Sequence, residues 1–322
     1  MEMLHVNEES FSLSLINELE PFFKRNGFLK SHASLLYILN NLSDLRTKQL
    51  IVRNDKNSIV GCNLFIKTRA YILDHVEEIY WSNSTYLDPS YRASCGMKLM
   101  MKTEERTNVF GFGLTEINEK LQHLLGNFFL GKSEAYLIQI PHSDLKCSAR
   151  RTDFCIPKYF EVDGLKWKRI MHSSELHYPN GGYWNKNNLA IDFVRDEDFI
   201  QKRFLNHYRE YYIYAPVQSE YSAYFVWRFI HQNDSTALYL VDYRFPIDTP
   251  KQMESILNAL TYLASLNNIQ RVFVFTTIGL PQIGYKTTIY GSPSLIVTNC
   301  TVFSNPKIFV TPADSDCELW IE

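Results

Sequence analysis

The sequence predicts an α/β fold in which helices flank a mixed sheet, and three observations carry that prediction. Apolar residues recur at spacings of three and four in some segments and alternate with polar residues in others. The two kinds succeed one another as helices, hairpin, strand, turn, helix, strand, helix, strand, an order that calls for a mixed sheet with helices packed against it. A hairpin followed by a helix then recurs in the second half, which reads as a duplication of architecture without shared wording. The 322 residues exceed the roughly 250 that one hydrophobic core holds comfortably, so two domains are expected, over 1–160 and 161–322.

The elements follow in order. Residues 10–45 carry Leu13, Ile16, Leu19, Leu35, Leu36 and Leu39 at helical spacing. "KQLIVRND" and "NSIVGCNLFIKTRA" are two strands joined at Asn54-Asp55-Lys56-Asn57, polar residues that tolerate tight-turn angles. "EEIYWSNSTYL" alternates as a half-buried strand does, and Pro89, with no N–H to donate, ends the ladder. The next helix is expected to bury Met97, Met100 and Met101. "NVFGFGL" is a short strand, Thr115 an N-cap, and "EINEKLQHLLG" a helix with Ile117, Leu121, Leu124 and Leu125 inward and Gly126 as its stop. "FFLGKSEAYLIQIP" reads as a further strand pair.

Beyond Asp163-Gly164 the pattern continues with a helix near 195–207, the hairpin "AYFVWRFIHQNDSTALYLVDYRF", a helix over 250–266 opened by Thr249 and Pro250, and the strands "RVFVFTT", "SLIVTNCTVF" and "KIFVTP".

Composition excludes several functions. Apolar residues at 45% and charged residues at 21% describe a chain that folds throughout, not a disordered one. Lys and Arg total 33 against 35 Asp and Glu, with no block of either sign, so nucleic acid is not an expected partner. "MEMLHVNEESFSLSL" has neither the basic nor the apolar region of a secretory signal. No apolar run reaches the roughly 20 residues of a membrane helix. No membrane insertion and a cytoplasmic location are the expectation. The six cysteines lack CxxC spacing and read as reduced.

The stretch "YLDPSYRASCGMKLM" runs from a strand through a turn into a helix, and there the chain resembles the GCN5-related N-acetyltransferase superfamily, in a tandem two-domain form. The family signature is strand, Arg/Gln-x-x-Gly-x-Gly/Ala, helix. Arg92, Cys95 and Met97 stand at its three positions, with Gly96 between the last two. "GFGLTEINEKLQHLLGNFFLGK" resembles the family's next block, a strand followed by a helix that ends in Leu-Gly. The resemblance covers about residues 50–140.

The resemblance implies two tandem acyl-CoA N-acyltransferase domains. Acetyl-coenzyme A is the implied acyl donor, and its pyrophosphate would lie on Leu87, Arg92, Ala93, Ser94, Cys95, Gly96 and Met97. Backbone N–H groups at a helix start supply both donors and the positive end of the helix dipole. Acyl transfer to an amine also needs a base and an acid. Many members use a Glu on the strand before the nest and a Tyr in the helix before Leu-Gly. Glu78 fits the first position. The second is Gln122, which leaves its neighbour His123 as the proton relay. The second domain, with "PIDTPKQ" in place of a nest, is expected to lack a cofactor site. Its tail "FVTPADSDCELW" resembles acetyltransferase-like proteins of bacterial surface-polysaccharide pathways, which implies a small-molecule amine or amino-sugar acceptor facing Asp242, Arg244, Asp314 and Asp316 in a cleft between domains. A homodimer is compatible with this reading. Two rival readings stand beside it: a tandem module without catalysis, its nest plugged by Cys95 and Met97, and an aminoacyl-tRNA-dependent peptidyltransferase, which would need a coiled-coil insertion and a basic groove.

No metal site is expected. Asp314-Ser315-Asp316 matches a short metal-binding pattern but reads as a solvated turn, and His172 and His177 are five apart where one helix face needs three or four. No G-x-S-x-G elbow supports a hydrolase.

Overall fold

The computed structural model describes residues 4–28, 30–42, 47–72, 75–112, 116–141, 154–185, 190–218, 222–232, 235–249, 251–290, 294–300 and 307–314. In chain order the elements are β1 (His5–Ser10), α1 (Leu13–Arg25), α2 (His32–Tyr37), β2 (Lys48–Arg53), β3 (Ile59–Ile72), β4 (His75–Leu87), α3 (Arg92–Glu104), β5 (Val109–Phe112), α4 (Glu116–Leu124) and β6 (Phe128–Gln139). There follow β7 (Tyr159–Val162), β8 (Leu165–Ile170), β9 (Ala190–Phe193), α5 (Glu197–Ile200), β10 (Tyr212–Pro216), β11 (Tyr224–Gln232), β12 (Ser235–Arg244), α6 (Lys251–Leu266), β13 (Arg271–Thr276), β14 (Lys286–Ile289), β15 (Ser294–Thr298) and β16 (Lys307–Phe309). The fold is the expected mixed α/β. Two compact units emerge, and their division is discontinuous: the first holds Met1–Ala70, Val76–Gly131 and Ser294–Pro306, the second Tyr71–His75, Lys132–Pro293 and Lys307–Glu322. Residue 160 lies inside β7 of the second unit, and Asp163-Gly164 is the turn of the β7–β8 hairpin, with φ of 52° and 76°. Asp-Gly takes both left-handed positions that a two-residue hairpin turn requires.

In the first unit β1, β2, β3, β4, β5 and β15 are successive neighbours. The β2–β3 turn forms as its sequence directs: Asn57 has φ 60°, and the Asn54 side chain accepts from the N–H groups of Lys56 and Ser58. Arg53 clamps β1 and α1 to this hairpin, donating to both Glu9 oxygens at 2.7 and 2.9 Å and to Glu18 at 2.6 Å. Helix α3 packs on β2, β3 and β5 through Cys95 and Leu99, which meet Leu50, Val52, Val60, Phe65, Leu87 and Val109. Its buried face is therefore Cys95, Leu99, Met100 and Thr103, whereas Met97 and Met101 are 43% and 58% exposed. The methionine spacing misread the face because helix contact follows the i, i+4 row through Cys95 and Leu99.

Helix α4 ends as expected before Gly126, at φ 78°, but Leu124 is 76% exposed; Thr115 lies outside the described residues, as does the Ile117 side chain. "FFLGKSEAYLIQ" is one twelve-residue strand, β6, not a pair. The strand "SLIVT" joins the first unit, pairing antiparallel with β5 from Ile296↔Phe112 to Thr298↔Phe110.

In the second unit the order is β6, β13, β12, β11, β10, β8, β7, with β12 and β13 parallel and joined through α6. One face carries α6, whose Ile256, Leu257, Leu260 and Leu263 pack on Trp227, Leu238 and Val272. The other carries Ile200 and Phe204 against Tyr224, Val226, Tyr239 and Val241. Among the described residues no helix is long and apolar enough to cross a membrane.

Candidate active site

The site in the first unit begins with the crossover β4–α3–β5. Strands β4 and β5 run parallel and pair over three positions only, Tyr80↔Val109, Trp81↔Phe110 and Ser82↔Gly111. Two residues beyond, Ser84 adopts φ 63°, a left-handed angle that breaks the strand alternation and turns β4 off its line. A cavity of about 200 Å³ opens at this point, bounded by Ser82, Ser84 and Thr85 on β4, Gly111 and Phe112 on β5, Met100, Thr103 and Glu104 on α3, and Asn118 and Gln122 on α4. Val109 on β5, Asn127, the β15 residues Val297 and Thr298, and Asn299 just beyond that strand complete it.

Its walls are held by a polar relay. Ser82 donates to Asn63 at 2.9 Å, Asn63 donates to Thr103 at 2.9 Å, and Thr103 donates to the Leu99 carbonyl at 3.0 Å. Asn127 donates to Glu104 at 2.9 Å and to the buried Gln122 side chain. Glu104 is the one ionisable side chain on the cavity among the described residues, and it stands at the last position of α3. The free carbonyls of a helix C-terminus add to its negative charge, so a cation is favoured there. Strand β15 is fixed by Asn299, which accepts from the Val109 N–H at 2.8 Å and donates to the Arg106 carbonyl at 2.5 Å, while Thr298 donates to the Val109 carbonyl at 2.8 Å.

The other end of α3 is the strand-to-helix turn where the resemblance would place the diphosphate. A 3₁₀ turn over Pro89–Tyr91 leads into the helix, which has no side-chain cap and no acid in its first turn. Arg92, Ala93 and Ser94 are exposed, and a Cβ on Gly96 would meet nothing within 4 Å, so the approach is open. Arg92 Nε donates to the Leu87 carbonyl at 3.0 Å and its guanidinium lies 5.6 Å from the centre of the Tyr86 ring. Cys95 turns into the core and Met97 turns outward, so neither plugs the turn. Burial pushes the Cys95 thiol up, and burial pushes Cys62, whose Sγ donates to the Ser84 carbonyl, up to about 12. Both stay protonated at neutral pH and are poor nucleophiles.

The remaining expected residues lie elsewhere. Glu78 is exposed near the start of β4, paired with Lys67 at 2.6 Å, and does not line the cavity. His123 is exposed and stacks on Phe129 with ring centres 4.0 Å apart; α4 turns Gln122, one residue before it, inward instead. Asp242, Arg244 and Asp314 do come together, but in the interior of the second unit. Asp242 accepts from Arg195 at 2.9 and 3.0 Å, from Arg244 at 2.9 Å, from Tyr224 at 2.6 Å and from Thr311 at 2.6 Å, and Asp314 accepts from Arg195 at 2.5 Å and Arg244 at 3.3 Å. All three are fully or almost fully buried, and this network fixes the segment bearing Thr311 and Asp314 rather than meeting an acceptor. Asp316 lies outside the described residues. No group of three or more potential ligands could hold a metal among the described residues. The cavity residues Ser82, Ser84, Thr85, Thr103, Glu104, Asn127 and Asn299 were not marked by any motif.

Comparison with solved structures places this architecture. A GCN5-related N-acetyltransferase from Anabaena variabilis aligns over 91% of this chain and 72% of its own, with a TM-score of 0.56 and 11% identity. One from Kribbella flavida aligns over 92% and 71%, with a TM-score of 0.57 and 11% identity. The Saccharomyces cerevisiae N-myristoyltransferase, solved with myristoyl-CoA bound, aligns over 92% and 78%, with a TM-score of 0.52 and 9% identity. The chain therefore has the fold of the GCN5-related N-acyltransferases. No protein-family model matches the chain, and no curated protein is similar to it in sequence.

Proposed function

We propose that the first unit binds acetyl-coenzyme A and passes the acetyl group to the amine of a small polar acceptor, with an amino sugar such as those of surface polysaccharides as the acceptor class. The observation that carries this reading is the polar cavity where the parallel strands β4 and β5 part, in the fold of proteins that work on acyl-coenzyme A. The open, uncapped start of α3 suits the diphosphate, since its amides and dipole favour an anion. A thioester bound along β4 supplies the acyl group. The cavity is small and lined mainly by hydroxyls and amides, which favours a short acyl group and a hydroxyl-rich acceptor over a long aliphatic chain.

Glu104 attracts the acceptor's ammonium and takes its proton, and Asn127 holds the carboxylate in place. The freed amine forms the new C–N bond as the C–S bond breaks, Glu104 keeps the ammonium's proton, and the proton the acylated nitrogen sheds goes to the departing thiolate, so coenzyme A leaves as the thiol. Gln122 positions the acceptor with its amide and transfers no proton. Transfer is direct, without an acyl-cysteine, because no cysteine lines the cavity among the described residues. Thiol release from acetyl-coenzyme A in the presence of glucosamine tests this. Glu104→Gln is expected to lower kcat/KM by about 10²-fold or more, the usual worth of a general base. Undiminished turnover in that variant overturns the role of Glu104.

A further inference from the structure

The cavity where β4 and β5 part divides by chemistry. Glu104, Gln122 and Asn127 form a polar corner joined by hydrogen bonds, whereas Met100, Val109, Gly111 and Val297 form an apolar wall. Val109 and Gly111 are two apart on β5 and share one face of the sheet. Val297 on β15 pairs with Gly111 in the antiparallel ladder, so it lies on that face too. Met100 stands one turn before Glu104 on the same row of α3, which sets the apolar wall beside the polar corner. Gly111 leaves the wall open. Apart from its chain neighbours, a Cβ placed on it would have a single atom within 4 Å among the described residues, Val297 Cγ2 at 3.1 Å. The isopropyl group of Val297 therefore bounds the space that the glycine leaves.

We propose, resting on the reading of this cavity as an acyl-transfer site, that Val297 sets the length of the acyl group it admits. An alkyl chain gains by leaving water for the apolar wall, and against the opposite corner it would strip the hydration from amides and a carboxylate. The acyl tail therefore turns towards Gly111, while the acceptor's ammonium stays at Glu104. A methyl group takes the place over the glycine, in contact with Val297 Cγ2. Each further carbon runs into the rest of the Val297 side chain, which has little room to yield: it is 3% exposed, held in the β5–β15 ladder and stiff at χ1 because it is branched at Cβ.

The test is titration calorimetry of the full chain with acetyl-coenzyme A and with butyryl-coenzyme A, which needs no knowledge of the acceptor. The native chain is expected to bind the acetyl form more tightly by about tenfold or more, the usual worth of a misfitted methylene in an apolar pocket. Val297→Ala removes two methyl groups from the wall and is expected to narrow that ratio about tenfold or invert it. Val297→Ile adds a carbon to the same wall and is expected to widen it. The two variants move the wall in opposite directions, so loss of the fold in one leaves the other to be read. An unchanged ratio in either folded variant, or tighter binding of the butyryl form by the native chain, overturns the role of Val297 and leaves the reading of the site in place. Absence of acetyl-coenzyme A binding to the native chain overturns both.

Discussion

Ser94→Glu separates the start of α3, where the diphosphate is proposed to lie, from the chemistry proposed at the helix's other end. Ser94 is exposed in the first turn, its hydroxyl donating only to the Tyr91 carbonyl at 3.1 Å. A carboxylate here faces the helix dipole favourably, so the fold gains up to about 1 kcal/mol and no loss of Tm is expected. A bound diphosphate experiences the opposite. With two phosphate charges about 6 Å away in a water-like dielectric, each pair repels by ~0.7 kcal/mol, and the sum of ~1.4 kcal/mol weakens binding about tenfold. Less screening makes the loss larger. Titration calorimetry of acetyl-coenzyme A against the native protein, Ser94→Glu and the control Met101→Glu is the assay, because Met101 is exposed near the far end of the same helix. Native affinity in Ser94→Glu, with the native protein binding, refutes the placement of the diphosphate at the start of α3.

Three further outcomes follow from the packing and ionisation. Gly61→Ala puts a Cβ 2.3 Å from Leu87 Cδ1 and 3.0 Å from the Tyr86 carbonyl, where β3 meets the end of β4, and is expected to cost about 1–3 kcal/mol in urea unfolding. Asp242→Ala leaves Arg195 and Arg244 with one fewer buried carboxylate and is expected to cost about 3–5 kcal/mol; a loss under 1 kcal/mol would mean that the network adds little. Glu175 is held down at about 2 by the Lys168 ammonium and the amides of Met171 and His172, against a smaller upward push from burial. A depressed carboxyl stabilises fully above its unfolded value near 4.5 and loses that contribution as pH falls towards 2, so Glu175→Gln should flatten the loss of stability across that window and leave it flat above it.

Local pattern made most of the elements legible. The polar Asn54–Asn57 turn, the alternation before Pro89, Asp163-Gly164 and the glycine stop at Gly126 each act through their own backbone, and the chain formed them where their chemistry directs. Faces were harder to read, as Met97, Met101 and Leu124 show, because the partner surface selects which apolar row is covered. The turn from β4 into α3 around Arg92 was legible in the sequence. The cavity was not, since it joins β4 to α4 and to Val297, Thr298 and Asn299, some 190 residues beyond β5. No local periodicity encodes such a pairing. Glu78 and His123 were proposed from spacing along a motif, whereas the cavity is lined by Ser82 and the left-handed Ser84 farther along β4 and by Gln122 on α4. Asp242 and Arg244, two residues apart on a strand, share a face, but nothing in their spacing says that Arg195 and Asp314 neutralise them in the interior.

The central claim, that the first unit receives acetyl-coenzyme A where β4 and β5 part, is tested most directly by calorimetric titration of the native chain with acetyl-coenzyme A. Saturable binding of one molecule per chain, weakened in Ser94→Glu, is the predicted result. Absence of heat at millimolar acetyl-coenzyme A, at two temperatures so that a zero enthalpy is not mistaken for no binding, contradicts it.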